Sequence, residues 1–233
     1  MNHENDMINE KFILGEHMKE QKPRGIWRII PKHAVLPLIS AFGFNTFVFN
    51  GTRVINKNRK YHNMTTKLDK KLPFVPGMVI IYVLAFVQWI VGYIVVARDD
   101  KKTLKRVVGA DLVAKGITLG CFLAVPTEME RPAIDGPELS GKGFTKWLTR
   151  FIYKADAANN LFPSIHCLES WMIYKSTKHL KKKVPFWYKP VMFVMSVLVF
   201  ASTVLLKQHV VVDIPAGVAA AEAGYKVMDK VMK

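Results

Sequence analysis

Cysteine is scarce in this chain of 233 residues, and that scarcity excludes two classes of protein. The two cysteines, Cys121 and Cys167, both lie in or at the edge of apolar stretches, and neither belongs to a CxxC pair or to a cluster of cysteine and histidine. A disulfide framework and a structural zinc site are therefore not indicated. We interpret both cysteines as packing residues.

Acidic residues are also few. The chain has 18 Asp and Glu against 34 Lys and Arg, which gives a formal net charge of +16. Such an excess is typical of proteins that bind nucleic acid, where basic patches neutralise phosphate. Here the basic residues lie between long apolar stretches rather than in one patch, as topology signals do in membrane proteins. We therefore expect no nucleic-acid partner.

The beginning of the chain lacks the apolar segment of a cleavable signal peptide, because residues 1–32 are mostly polar. Apolar stretches of about 20 residues follow, separated by short basic connections. They give six candidate membrane spans at residues 33–50, 77–97, 107–126, 161–177, 187–206 and 208–228. The sequence predicts an all-α fold, a six-span transmembrane helical bundle over residues 33–233, after a cytoplasmic N-terminal segment of residues 1–32.

The distribution of Lys and Arg predicts the orientation of these spans. With the N-terminus in the cytoplasm, the cytoplasmic segments hold 20 Lys and Arg and the outer segments hold 13. The positive-inside rule favours this arrangement, although the connection 51–76 holds seven basic residues on the outer side. We expect a multi-pass integral protein of the plasma membrane. In this topology the end of the third span, the start of the fourth and the junction of the last two meet at the outer face.

Two polar clusters lie at the first two of those places. Arg131-Pro132 follows the third span. In residues 159–166, two asparagines that can cap a helix precede a proline, which predicts the start of a helix. The unpaired N–H groups of such a helix start and the Ser164 hydroxyl suit a phosphate oxyanion, and His166 would lie beside it in the first turn.

His209 and Asp213 form the third cluster. On a helix that begins near His209, Asp213 lies four residues on and on the same face, with Cβ atoms about 5–6 Å apart. A carboxylate in an apolar stretch is disfavoured by about 2.5–3.5 kcal/mol and needs a partner. The pair is compatible with a structural role. An aspartate that fixes the tautomer of a histidine is also what an activated histidine nucleophile or base requires.

Together the three clusters resemble the type 2 phosphatidic acid phosphatase superfamily, whose motifs are K-x6-RP, PSGH and SR-x5-H-x3-D. The corresponding residues here are Ala124-x6-Arg131-Pro132, Pro163-Ser164-Ile165-His166 and Ser202-Thr203-x5-His209-x3-Asp213. Their order, internal spacing and placement among the six spans agree with the family. The resemblance places the active site in residues 126–213.

The resemblance implies a phosphoryl transfer that uses no metal ion and no other cofactor. His209 would attack phosphorus to give a phosphohistidine, Asp213 would hold its ring, and His166 would protonate the leaving group. Arg131, Ser164 and main-chain N–H groups would bind the nonbridging oxygens, and water would then release phosphate. The expected protein is a phosphatase that hydrolyses lipid phosphate monoesters or diphosphates at the extracytoplasmic face of the bilayer.

Three positions depart from the family pattern. Ala124 stands where the family has its first lysine, Thr203 where it has the arginine of the third motif, and Ile165 where it has the glycine of PSGH. Two of the three cationic phosphate ligands are therefore missing.

Several basic residues are candidates to replace the missing charge. Lys207 lies two residues before His209, and we expect it to bind phosphate; the alternative is a lysine that extends toward the membrane interface. Basic residues of the connection 51–71, Lys142 and Lys154 are further candidates, and spacing does not choose among them.

Two other functions stay open. Sphingomyelin synthases and inositol phosphorylceramide synthases, which move a phosphorylated headgroup between lipids, are similar in keeping the two histidines and the aspartate while losing parts of the cationic set. A lipid headgroup phosphotransferase is therefore the second hypothesis. The third is a non-catalytic binder of lipid phosphates, which would need no acid for a leaving group.

Charged residues also occur inside the predicted spans. Asp111 and Lys115 form an i,i+4 pair in the third span, which we interpret as mutual neutralisation. Glu169 lies three residues after His166, where it would either bond the imidazole or face a neighbouring span.

Overall fold

The computed structural model describes residues 25–233, so most of the predicted cytoplasmic segment, residues 1–32, lies outside the described residues. The described part is mostly helical, as predicted. Its α-helices are α1 (Lys32–Asn56), α2 (Lys67–Lys71), α3 (Val79–Ala97), α4 (Lys101–Ala124), α5 (Phe144–Ala155), α6 (Ile165–Ser176), α7 (Tyr188–Leu205) and α8 (Asp213–Val231). Helix α1 contains a π-helical turn at Phe47–Gly51. Two short strands, β1 (His62–Asn63) and β2 (Thr127–Glu128), pair in parallel.

Four helices of the described chain are long and apolar enough to cross a membrane: α1, α3 with the turn before it (Pro76–Ala97), α4 and α7. Their length and composition support a membrane protein. The fourth and sixth candidate spans correspond to α6 and α8, which do not meet these criteria. Helix α6 has 12 residues, and α8 carries Asp213, Glu222 and Asp229, so both are shorter or more polar than the other four.

Two predicted helix starts are corrected. The helix expected to begin near His209 begins at Asp213, because α7 ends at Leu205 and Lys207 takes a left-handed conformation with φ of 53°. The helix expected to be capped by the asparagines of residues 159–160 begins at Ile165 instead. Turns therefore precede both helices, and the residues in these turns are free to face the interior of the bundle.

Close packing of α8 against two neighbours forms the centre of the bundle. A Cβ added at Gly217 would lie 2.6 Å from the carbonyl oxygen of Ser164, and one at Gly224 would collide with the carbonyl of Ala110 in α4. Small residues allow helix backbones to approach in this way. The contact at Gly217 brings the start of α8 to the start of α6, and Ser164 N–H donates to the carbonyl of Asp213 at 3.3 Å.

The connections join alternate ends of successive helices. At one end, the N–H of Val75, just before α3, donates to the carbonyl of Leu205 at the end of α7 at 2.9 Å. At the other end, Asp99 accepts from the N–H groups of Lys181 and Lys182 at 2.7 to 3.1 Å. Helices α1, α3, α4, α6, α7 and α8 therefore run in alternating directions. The end of α4, the start of α6 and the turn before α8 lie at the same end of the bundle.

A cluster of charged residues lies within the bundle. Lys115 Nζ lies 2.8 Å from Asp111 Oδ2 and 2.5 Å from Glu169 Oε1, and Tyr93 donates to Glu169 Oε2 at 3.1 Å. The expected neutralisation of Asp111 by Lys115 is present, with Glu169 as a third member. Glu169 faces this neighbouring helix rather than the His166 imidazole, so the buried charges are paired with each other.

Helix α5 is a structural element that the sequence did not predict, since residues 131–154 were expected to form an outer connection. The rings of Phe144, Trp147 and Phe151 stack in a row on its exposed side, with centroids 5.9 and 6.2 Å apart. Thr149 and Tyr153 are buried on the opposite side. Helix α5 is therefore amphipathic, and its aromatic row is suited to a membrane interface.

Candidate active site

The two histidines of the predicted motifs lie next to each other. His166 comes from the first turn of α6 and His209 from the turn between α7 and α8, and their ring centroids are 6.1 Å apart. Both line a cavity of about 240 Å³, which we call the histidine cavity. Their exposed fractions are 9% for His166 and 8% for His209. Residues 43 positions apart in the sequence thus share one small buried space.

Asp213 holds one nitrogen of the His209 ring. Its Oδ2 lies 3.0 Å from His209 Nδ1 and also accepts from the N–H of Val210 at 3.1 Å. Asp213 is completely buried. The predicted contact over four residues therefore forms across a turn rather than along a helix. It leaves Nε2 as the His209 nitrogen that is available for chemistry.

Aromatic side chains of α3 surround His166. The ring of Tyr82 stacks on the imidazole with centroids 4.2 Å apart, and Trp89 and Phe86 follow at 5.2 and 5.8 Å. Tyr82 Oη lies 3.5 Å from His166 Nδ1 and donates to Asp156 Oδ2 at 3.1 Å. His166 Nε2 is buried and has no hydrogen-bond partner among the described residues. The imidazole is thus fixed by ring contacts, and one of its nitrogens is free.

Arg53 at the end of α1 belongs to the same network, and sequence reasoning included it only among the basic residues of the connection 51–71. Its Nη2 lies 2.6 Å from Asp156 Oδ1, and its Nε donates to Asn159 Oδ1 at 3.0 Å. Asp156 and Asn159 both line the histidine cavity. The clue in the sequence was a basic residue on the side where the positive-inside rule does not favour one.

Gln208 is a further lining residue that the sequence analysis did not single out. It precedes His209, and 2% of its surface is exposed. Its Oε1 accepts from Arg131 Nη1 at 3.2 Å, and its Nε2 has no partner in residues 25–233. The available signal was a polar amide beside a histidine at the junction of two apolar stretches.

Arg131, a predicted phosphate ligand, lies behind the histidine cavity and does not line it. Its guanidinium donates to the carbonyls of Tyr153 and Asp156, both at 2.8 Å, and stacks on the Tyr153 ring at 4.1 Å. Burial lowers the pKa of this guanidinium, and Tyr153 and Asp156 partly oppose the shift. Arg131 reaches the cavity through Gln208.

Lys207, the second predicted cationic ligand, lies on another side of the same turn. Arg131 and Lys207 line a separate cavity of about 370 Å³, which we call the basic cavity after these two side chains. Lys70 and the carboxylates of Asp69, Glu130 and Glu138 line it as well. Lys207 Nζ donates to the carbonyls of Asp69 and Leu72, both at 2.7 Å. Burial lowers the pKa of Lys207, and the charge of Asp69 partly offsets this. Lys207 therefore ties the turn to the connection that precedes α3.

Ser164 is placed at the N-cap of α6. Its hydroxyl oxygen accepts from the N–H of Cys167 at 3.3 Å, and the residue is completely buried. The next two residues, Ile165 and His166, line the histidine cavity, whereas Ser164 does not. The helix start that the sequence predicted does meet the cavity, through its first turn.

Of the three positions that depart from the family pattern, Ile165 lines the histidine cavity, whereas Ala124 and Thr203 do not. The exposed Ala124 accepts at its carbonyl from Arg59 Nη2 at 3.4 Å, and the buried Thr203 donates to the carbonyl of Phe200 at 2.8 Å. Lys142 and Lys154 are exposed and do not line the cavity. The candidates for replacing the missing charge therefore lie outside it.

The lining of the histidine cavity is aromatic and polar but contains no Lys or Arg from residues 25–233. The polar members besides the histidines are Asn45, Asp156, Asn159, Asn160 and Gln208, and the aromatic members are Phe49, Tyr82, Phe86, Trp89 and Phe122. In the same part of the chain, no group of three or more His, Cys, Asp and Glu side chains is arranged to hold a metal ion. The polar groups that a ligand would meet are thus imidazoles, amides and the Asp156 carboxylate, which is paired with Arg53.

Comparison with known families agrees with this geometry. A sequence model of the PAP2 superfamily matches residues 62–227, which is more than half of the chain and includes all three motif regions. Among curated proteins, no sequence matches this chain. His166, His209 and Asp213, three of the residues of the family pattern that this chain keeps, lie together in the structure. The chain therefore belongs to the PAP2 superfamily, the type 2 phosphatidic acid phosphatases.

Proposed function

We propose that this protein is a lipid phosphatase that cleaves phosphate monoesters or diphosphates of lipids through a phosphohistidine at His209. Membership of the PAP2 superfamily supports phosphatase activity in general. The observation that carries the finer proposal is the pair of His209 and Asp213, 3.0 Å apart, in one cavity with His166. A histidine held by a carboxylate and a second histidine with a free nitrogen are the groups that covalent phosphoryl transfer needs.

In the first step, Nε2 of His209 attacks phosphorus while Asp213 holds Nδ1. The bond between nitrogen and phosphorus forms, and the bond from phosphorus to the lipid oxygen breaks. His166 gives a proton from Nε2 to that oxygen. Both rings line the same cavity, which supports the action of both on one phosphoryl group.

In the second step, a water molecule attacks the phosphohistidine. His166, now neutral, accepts a proton from this water, phosphate leaves, and His209 is restored with Asp213 still bound to Nδ1. The transition state of each step spreads negative charge over the equatorial oxygens. Donors fixed in the cavity wall would stabilise that charge without the reorganisation that water requires.

The proposed substrate is a lipid because an apolar cavity adjoins the histidine cavity. It has a volume of about 440 Å³ and shares Asn45, Phe86 and Trp89 with the histidine cavity. Most of its remaining lining is aliphatic and aromatic and comes from α1 and α3. The hydrocarbon chains would lie between these two helices, with the phosphate at His209.

The proposed site is at the extracytoplasmic end of a bundle that crosses the plasma membrane six times. The alternating directions of the six helices support six crossings, and α6 is buried among its neighbours. The distribution of Lys and Arg supports a cytoplasmic N-terminus. With this orientation, the end that holds His166 and His209 faces the outer side.

The proposed activity is tested with purified protein in detergent and EDTA, by measuring phosphate release from a panel of lipid phosphates. We expect phosphate release that EDTA does not affect, that His209→Ala abolishes and that His166→Ala lowers about 10²–10⁴-fold. His62→Ala is the matched control, because His62 is exposed and does not line the histidine cavity. Activity that disappears with EDTA, or that survives in His209→Ala, would contradict the proposal.

A lipid headgroup phosphotransferase is the second candidate, and the absence of lining Lys and Arg from residues 25–233 favours it. A phosphodiester carries one negative charge, whereas a monoester carries about 1.5 to 2 at neutral pH, so a cavity of neutral donors accommodates the diester more easily. This candidate predicts that a lipid alcohol, rather than water, accelerates loss of the phosphoryl group from His209. The measurement is the transfer of a labelled headgroup to diacylglycerol or ceramide. Bound lipid phosphate without either product would instead support the non-catalytic binder.

A further inference from the structure

Gln208 is a buried donor without a partner beside the proposed nucleophile. Only 2% of its surface is exposed, it lines the histidine cavity, and the next residue is His209. Its Nε2 has no hydrogen-bond partner in the described part of the chain. Buried donors in proteins are nearly always paired, because an unpaired one has lost its bonds to water. A donor of this kind at a cavity wall points to a ligand that accepts from it.

Arg131 determines which way the Gln208 amide faces. A guanidinium can only donate, so the group that Arg131 Nη1 meets at 3.2 Å must be the amide oxygen, Oε1. The amide nitrogen must then face away from Arg131. The guanidinium is itself fixed by the carbonyls of Tyr153 and Asp156. The amide is thus held in one orientation by a side chain with little freedom to move.

We propose that Gln208 Nε2 donates to a nonbridging oxygen of the phosphoryl group in the histidine cavity, and that Arg131 is a positioning residue that acts through Gln208. The inference rests on the proposed function and adds a phosphate ligand at a position that the third family motif leaves unspecified. It gives the cavity a built-in donor where two cations of the family pattern are missing. Arg131 would then affect activity without contacting phosphate.

The strength of such a donor follows from its surroundings. A donor fixed in a buried site meets the charge that develops on the equatorial oxygens without first reorganising, and removal of one donor of this type costs about 10²–10³-fold in kcat. A flexible or solvated amide would contribute much less. The contact with Arg131 is therefore part of the function of Gln208.

The first test is Gln208→Glu. The carboxylate has the shape of the amide and still accepts from Arg131, but it presents an oxygen to phosphate in place of the N–H₂ group. We expect kcat/KM to fall by at least about 10²-fold, with binding of orthovanadate weakened in parallel and the unfolding temperature retained. Wild-type kcat/KM in Gln208→Glu would overturn the inference.

Gln88 offers a matched control for a second variant, Gln208→Met. Gln88 is 4% exposed and does not line the histidine cavity, and its Nε2 donates to the carbonyl of Met192 and to Ser196 Oγ, both at 3.1 Å. Gln88→Met therefore removes more hydrogen bonds than Gln208→Met. We expect Gln88→Met to lower stability without changing activity per folded molecule, and Gln208→Met to lower activity. Equal losses of activity in both variants would assign Gln208 a structural role and overturn the inference.

The role of Arg131 is tested with a double-mutant cycle. If Arg131 acts through Gln208, Arg131→Met lowers kcat/KM in the wild-type background but adds no loss in the Gln208→Met background. Arg131→Lys, which keeps a donor for Oε1, should retain more activity than Arg131→Met. Additive losses would mean that Arg131 contacts phosphate itself, which would overturn the positioning role.

Different experimental results would overturn this inference and the proposed function. A wild-type protein that neither hydrolyses nor transfers any phosphate ester, and that does not bind orthovanadate, would overturn both. A wild-type protein that is active and binds orthovanadate, while Gln208→Glu does the same with equal strength, would overturn only the role of Gln208.

Discussion

The histidine cavity and the basic cavity lie on two sides of the turn at residues 207–209, and they differ in whether Lys and Arg side chains line them. The side chains of Gln208 and His209 line the first cavity, which has no lining Lys or Arg from residues 25–233, and that of Lys207 lines the second. In the basic cavity, Arg131 and Lys207 donate to backbone carbonyls. Arg131 and Lys207 thus fix the turn and its surroundings, while imidazoles, amides and the Asp156 carboxylate line the proposed substrate space.

Residues that are close in sequence at a turn do not necessarily share a function. Lys207 and His209 are two residues apart, but the left-handed conformation of Lys207 sends their side chains into different cavities. His166 and His209 are far apart in sequence and share one cavity. A chemical role for Lys207 would therefore require its ammonium to leave both carbonyls that it now contacts.

The largest expected effect comes from Asp213→Asn, which tests whether Asp213 supports His209 in the histidine cavity. The amide keeps the size of the side chain, but it no longer holds the tautomer of His209 with a negative charge. We expect kcat to fall about 10⁴-fold, as it does when a catalytic histidine loses its aspartate. Steady-state kinetics of phosphate release measure this, with His62→Ala alongside. A loss of less than about tenfold would place the chemistry elsewhere.

His166→Ala should have the next largest effect, and its size should depend on the leaving group. General acid catalysis contributes about 10²–10⁴-fold, and only poor leaving groups need it. We expect a loss in this range for an alkyl phosphate and a much smaller loss for p-nitrophenyl phosphate. The quantity to measure is the release of the alcohol or p-nitrophenol in the first turnover, before water attacks the phosphohistidine. Equal losses for both substrates would show that His166 is not the acid.

Lys207→Met tests the basic cavity directly. The change removes two hydrogen bonds from a charged group to the carbonyls of Asp69 and Leu72, so we expect a loss of about 1–3 kcal/mol of unfolding free energy. The expected loss of kcat/KM is less than about tenfold, because the ammonium faces away from the histidine cavity. Thermal unfolding measures the change in stability, and steady-state kinetics measure the change in kcat/KM. Lys154→Met is the control, because Lys154 is exposed. A large rise in KM would instead support Lys207 as a phosphate ligand.

The smallest effect concerns Asp69, which links the turn to the connection before α3. Burial tends to raise the pKa of Asp69, but hydrogen bonds from Thr66 and from the N–H of Val211, together with Lys207, lower it below its usual value. Because the folded-state pKa lies below the unfolded value of about 3.9, this carboxylate stabilises the fold above about pH 4 and ceases to do so as the pH falls through the folded value.

Asp69→Asn should therefore lower the free energy of unfolding by about 1 kcal/mol at pH 7, with the difference from wild type shrinking in acid. Thermal unfolding in detergent at neutral and acidic pH measures it. A difference that does not change with pH would mean that the charge of Asp69 contributes nothing.

The contact between His209 and Asp213 could be predicted from the sequence because it is local. The four-residue spacing of His209 and Asp213 brings the two side chains together even though the helix begins only at Asp213. The meeting of His166 with His209 follows from the alternation of spans. The spans themselves were harder to predict, because α6 and α8 carry the polar groups of the site and of the buried charge cluster, and these groups reduce their apolar character.

The surroundings of Arg131 and Gln208 were harder to predict from the sequence, because the orientation of these side chains depends on distant partners. Arg131 is fixed by carbonyls in and just after α5, a helix that lies in a stretch expected to be a connection. Tyr82 belongs to an apolar span, where an aromatic residue is usually a packing residue. The orientation of the Gln208 amide depends on its contact with Arg131. Such partners become visible only when the chain is folded.

The proposed phosphohistidine at His209 is tested most directly by trapping the phosphoryl group on the protein. After brief reaction with a ³²P-labelled lipid phosphate and quenching in alkali, wild-type protein should carry label that acid removes, and peptide mapping should place it on His209. His166→Ala should accumulate the labelled form from a substrate with a good leaving group, because water then attacks slowly. Label at another residue, or label that persists in His209→Ala, would contradict the account.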